Sequence, residues 1–179
     1  MVKVKTHLEF PPKSIINESF GKADYLDIHS ISIQNPQNYS IDYLTGLFFT
    51  SMPNWIKNLL SFRNFIVKFF GLQGGDIDQL KEPDKSVHYA IGSEAVIFKV
   101  SDRNDDEIVM ADNDKHLNFR TSLMIEKTDD NDIFNFYSAT IVHYNNIWGR
   151  LYFLPVKPFH KLIIRTMLRI ASNRINGKQ

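Results

Sequence analysis

The chain has 179 residues and no cysteine, and its 21 basic and 20 acidic side chains leave a net charge of +1. That length is most simply one domain, 1–179, burying roughly 70% of the surface its unfolded form exposes. Disulfides, thiol chemistry and a chain-wide field for nucleic acid are all excluded. The opening MVKVKTHLEFPPKS lacks a signal-peptide core, and no run of about 18 apolar residues occurs, which points to a cytoplasmic protein without a membrane span. Aromatic residues make up 13% of the chain, with 14 Phe, enough for a bulky core or an aromatic-lined cavity.

Residues 1–23, with Pro11, Pro12 and a Ser/Asn/Gly cluster, read as an arm packed on the outside. A first strand is expected from Asp24 to Ile33. Its apolar residues change parity between Leu26/Ile28 and Ile31/Ile33, which suggests a bulge. After the NPQNYS loop, Ser40 is a suitable N-cap for a short helix through Phe49. A second helix starts at Ser51 and Pro53 and stops at Gly71, its buried side formed by Trp55, Ile56, Leu59, Leu60, Phe62, Ile66, Phe69 and Phe70. Residues 72–93 form the longest irregular connection, a lid or a surface loop.

Five strand-like segments follow: Glu94–Ser101, Glu107–Ala111, Lys115–Glu126, Ile133–Tyr144 and Trp148–Val156. Their polar links are of hairpin length, so consecutive strands are expected to pair antiparallel as a meander. The last helix, 158–173, carries Phe159, Leu162, Ile163, Ile164, Met167, Leu168, Ile170 and Ala171 on a broad apolar face. Lys161, Arg165 and Arg169 stack on the other side, either as a solvated face or as an attraction for an acidic partner or lipid headgroup. The expected fold is α+β, a bent antiparallel sheet wrapped around a long C-terminal helix, with two helices inserted after the first strand.

PNWIKNLLSFRNFIVKFFGL, DNDKHLNFRTSL, TIVHYNNIWGRLYF and PFHKLIIRTMLRIA resemble signature segments of a bacterial domain-of-unknown-function family, DUF2867. The element order is similar to the helix-grip architecture of the START and birch-pollen-allergen-like superfamily (SRPBCC), which also holds polyketide cyclases. The resemblance spans most of residues 20–172. It implies a cavity between sheet and last helix used for apolar ligands, and, from domain fusions in similar proteins, a partner reductase. No GxGxxG, GxSxG, P-loop, HExxH or paired-Cys motif is present, so neither a cofactor nor a metal is expected.

Several residues depart from the apolar pattern. Arg63 falls on the apolar side of the second helix, where a guanidinium needs a carboxylate, carbonyls, water or a ligand anion, or else snorkels outward. His160 lies in the apolar arc of the last helix, in what reads as its first turn. There the helix dipole favours a neutral ring that caps a backbone carbonyl, contacts a ligand or acts as a base. Alternation over Lys115–Glu126 puts His116, Asn118, Arg120 and Ser122 on one face, with His143 expected close to His116 across the ladder. That face is either the solvated outside of the sheet or a polar patch in a cavity. Trp148 and Tyr152 against Leu151 and Phe153 suggest a last strand covered on both sides. The run Asp112, Asp114, His116 has metal-ligand atoms but matches ordinary turn chemistry.

These residues support two functions. The first is binding of a small apolar or amphipathic molecule, with Arg63, His116, Arg120, His143, Trp148, Tyr152 and His160 as candidate contacts. The second is a cyclase- or isomerase-type enzyme in which His160 or His143 removes a proton and Arg63 stabilises the enolate. An interaction module serving a separate reductase is a third possibility, suggested by the resemblance alone.

Overall fold

The structure is a computed structural model that describes residues 3–18, 23–35, 37–59, 61, 81–130 and 132–177. Among the described residues, seven antiparallel strands form one curved sheet in the order β1-β2-β7-β6-β5-β4-β3. They are β1 (Lys5–His7), β2 (Tyr25–Gln34), β3 (Glu94–Ala95), β4 (Phe98–Arg103), β5 (Glu107–Asn113), β6 (Leu117–Lys127) and β7 (Ile133–Tyr144). The expected meander is present from β3 to β7, and its links close by side-chain turns. Asn104 Oδ1 accepts from the backbone N–H groups of Asp106 and Glu107, Asp114 Oδ1 from that of His116, and Asp130 Oδ1 from that of Asp132.

Helix α1 spans Ile41–Thr50 with Ser40 as its N-cap, the Ser40 hydroxyl accepting from Tyr43 N at 3.2 Å. A second helix, α2, follows Pro53 and is helical over residues 54–59; Ile56 is fully buried there while Trp55 stays 43% exposed. The rest of the expected second helix, Arg63 included, and residues 72–80 of the long connection lie outside the described residues. What is described of that connection is fastened to α1. Asp42 accepts from Tyr89 N and holds both terminal nitrogens of Arg103, a forked geometry that lysine lacks.

The largest correction concerns the segment after β7. Trp148–Val156 is not a strand: helix α3 runs without interruption from Ile147 to Ile175, 29 residues. Asn146, read from sequence as part of a hairpin link, is its N-cap and accepts from Gly149 N at 3.1 Å. Gly149 is required by close approach, because a Cβ there would lie 2.0 Å from the His116 carbonyl oxygen. Pro155 and Pro158 sit inside the helix and donate nothing to the carbonyls of Leu151 and Leu154. Leu151 and Leu154 are both exposed.

No bulge interrupts β2, which pairs with β7 in register from Tyr25↔Val142 to Gln34↔Ile133. Its parity change has another cause: both faces of the sheet are covered. The face carrying Ile31, Ile33, Phe134, Phe136, Leu123 and Ile108 packs on α1 and α3 as the main core, with Phe48, Met167 and Leu168. The opposite face is covered by the N-terminal arm, where Ile16 packs on Ile28, Val109, Ala139 and Ile141. The arm also contains β1 and a 3-10 turn, Ile15–Glu18. It is pinned by the fully buried Glu107, whose carboxylate accepts from Ser14 Oγ at 2.8 Å, Ile15 N at 2.7 Å and Ser122 Oγ.

Candidate functional site

Successive residues of a strand point to opposite faces, and directly paired residues of neighbouring strands share one. The helix-facing side of β2 therefore presents Tyr25, Asp27, His29, Ile31 and Ile33, beside Val142, Thr140, Ser138, Phe136 and Phe134 of β7. Apolar at one end, this surface turns polar at Asp27, His29, Ser138 and Thr140, all of them buried. Thr121 of β6 extends the band, its Oγ1 3.2 Å from that of Thr140. A polar band beneath a packed helix is expensive unless its groups are paired.

Asp27 is the centre of that pairing. Its carboxylate is 3.0 Å from His29 Nε2 and 3.1 Å from His160 Nδ1, with side-chain exposures of 2% for Asp27 and His29 and 20% for His160. Burial alone would raise the Asp27 carboxyl; hydrogen bonding from His160 and His29, together with their charge, outweighs it and holds the group well below the ordinary carboxylate range. An ionised carboxylate only accepts, so Nδ1 of His160 carries the proton toward Asp27 and Nε2 is the atom left for other partners. His29 continues the chain of contacts through Nδ1, 3.0 Å from Thr6 Oγ1 on β1.

Tyr25 borders the cluster. Burial first, and then the neighbouring Asp27 charge, push its phenol far above the usual tyrosine value, so it stays a protonated donor at any physiological pH. Its ring is edge-on to Phe153 at 4.9 Å and to His160 at 6.0 Å, and Lys157 Nζ lies 5.5 Å over it. Ser138 Oγ, buried on the same face, makes no hydrogen bond among the described residues.

The described residues among those singled out from sequence do not gather at one place. His160 reaches the cluster, but from the middle of α3, so the first-turn argument for its neutrality loses its premise. Arg120 and His143 occupy the opposite face of the sheet, since they pair with Ile141 and Asn118 rather than with the helix-facing set. Arg120 Nη1 donates to Asn113 Oδ1 at 2.8 Å, and His143 Nδ1 is 3.0 Å from Asp24 Oδ2. His116 lies in the β5–β6 turn with Nδ1 3.3 Å from Asn146 Oδ1, and His143 is set across the ladder from Asn118, not from it. Trp148 is 66% exposed and Tyr152 half-buried, both on the first turns of α3. Asp114, whose run with Asp112 and His116 matches turn chemistry in the sequence, uses its carboxylate in the turn itself.

Asp27, His29 and Ser138 escaped the sequence reading. The available signal was the parity of β2, where two ionisable side chains share a face with Ile31 and Ile33.

A curved antiparallel sheet grasping a long C-terminal helix, with a buried carboxylate–histidine cluster between them, defines an α+β protein of the helix-grip kind. The chain belongs to the family described as Protein of unknown function (DUF2867), whose model it matches over residues 19–167. No curated protein and no solved structure matches it.

Proposed function

We propose that the protein binds a small apolar or amphipathic molecule between the sheet and α3, as members of the START and birch-pollen-allergen-like superfamily do. Its polar end would meet Asp27, His29, His160 and Ser138. The observation that carries this reading is Ser138 Oγ, a buried hydroxyl with no hydrogen-bond partner among the described residues, across the ladder from His29 on the α3-facing side of the sheet. Leaving such a group unsatisfied costs about 1–3 kcal/mol, a deficit that a ligand oxygen or nitrogen would remove. Phe119, Phe153 and Tyr144 supply apolar surface farther along the same face, around Tyr25 and Val142. The test is a thermal-shift screen of fatty acids, polyketides and isoprenoids together with native mass spectrometry. A co-purifying or stabilising species whose effect is lost in S138A supports the reading. No bound species and no stabilised hit would overturn it.

The contact between Asp27 and His160 favours a second reading, a proton-transferring enzyme of the cyclase or isomerase type. With Nδ1 held by Asp27, His160 would present Nε2 as a general base. Incorporation of solvent deuterium into a bound carbonyl compound, abolished in H160Q, would establish it. Tight binding without any exchange would leave the binding function alone.

A further inference from the structure

The first turns of α3 expose a set of side chains that a helix packed on a sheet normally hides: Ile147 59%, Trp148 66%, Leu151 54%, Leu154 62%, Phe159 47% and Leu162 51%. At about 100° per residue they share one arc with Pro155 and Pro158, and no charged residue interrupts that arc between Ile147 and Leu162. Sequence patterning places Phe159 and Leu162 in the core. The structure instead gives the core Ile164, Met167, Leu168 and Ala171, and turns these two outward. A continuous exposed apolar stripe of this kind marks a binding surface.

Charge identifies the occupant. Every ionisable group with a full charge on α3 is cationic: Arg150, Lys157, Lys161, Arg165, Arg169 and Arg174. Arg150 and Lys161 are exposed along one edge of the stripe, and Arg169 is exposed past its end. A second copy laid against the same face would bring like charges together. Anionic headgroups above an acyl layer complement both features, and tryptophan favours that boundary. No described helix is long and apolar enough to cross a membrane, so α3 would lie in the plane of the leaflet. The stripe is also rigidly presented, because Gly149 and Phe153 are buried beneath it and Asn146 donates to the Lys115 carbonyl at 2.9 Å.

We propose that the N-terminal half of α3 is an interfacial docking surface for anionic phospholipid membranes. The stripe enters the headgroup–acyl boundary, and Arg150 and Lys161 contact the phosphates.

The test is co-sedimentation with vesicles of phosphatidylcholine alone and of phosphatidylcholine mixed with phosphatidylglycerol. Binding to the anionic vesicles only, weakened by salt, is expected. With about 1 kcal/mol per cation near such a surface, R150Q/K161Q should lower the partition coefficient roughly 25-fold. W148S/L151S should abolish binding while leaving the melting temperature unchanged, because both side chains are exposed. In a W55F background, Trp148 emission should be readily quenched in solution and shift to the blue on adding anionic vesicles. Four results would each overturn the proposal: no sedimentation, equal binding to neutral vesicles, Trp148 shielded without vesicles, or a dimer in solution that W148S/L151S dissociates.

Discussion

Replacing Asp27 by asparagine keeps the shape of the side chain and removes its charge. In the wild type the carboxylate meets His29 Nε2 at 3.0 Å and His160 Nδ1 at 3.1 Å. A hydrogen bond to a charged group contributes about 1.5–3 kcal/mol and a neutral one about 0.5–1.5, so weakening the His160 hydrogen bond together with the close His29 contact loses about 2 kcal/mol. In a chain of this size that is a fall of about 4–8 °C in melting temperature. The pH dependence is more discriminating. The folded-state carboxyl titrates below its ordinary value of 3.8. Its stabilisation is therefore complete above that value and is lost as the pH falls toward the folded-state value. Urea unfolding of wild type and D27N at neutral pH should show the full difference, and the two should converge in acid. A D27N protein as stable as the wild type at neutral pH, or a difference unchanged below pH 3.8, would refute the assignment of Asp27 as an ionised, paired centre.

Three other substitutions probe the frame around the cluster. G149A puts a methyl 2.0 Å from a backbone oxygen; a loss of about 2–4 kcal/mol is expected in denaturant unfolding, and helix propensity alone would predict a small gain. E107A removes the acceptor of Ser14, Ile15 and Ser122. It should cost about 3 kcal/mol and accelerate amide exchange in residues 14–16 before global unfolding. R103K replaces a fork bound to Asp42 by a single ammonium. A loss of about 1–2 kcal/mol should appear together with faster proteolysis within residues 81–93.

Much of the frame was legible because its signals are local. Ile133–Tyr144 was bounded by its turns, Ser40 announced α1, and the polar links set the meander. Trp148–Val156 misled because a stripe of exposed apolar side chains imitates burial, and periodicity cannot separate a docking face from a core face. Asn146 held the contrary signal, since asparagine caps a helix as readily as it turns a hairpin. The candidate site was less legible. Asp27 and His29 owe their burial to a helix more than 100 residues away (Asp27 to His160, 133 residues), and only tertiary packing reveals that an aspartate and a histidine on a strand face inward. Arg120 and His143 were read as one polar group and do share a face, but it is the one away from α3.

The position of β7 between β2 and β6 has a consequence for biosynthesis. Asn135 follows Ser32 by 103 residues, yet β7 is the strand on which the long edge of β2 pairs. During translation β2 must therefore wait, with most of its ladder unmet, until β7, about 100 residues later, has been made. Assembly of the sheet is governed by non-local pairing, which slows folding and leaves a chaperone time to shield the waiting strand.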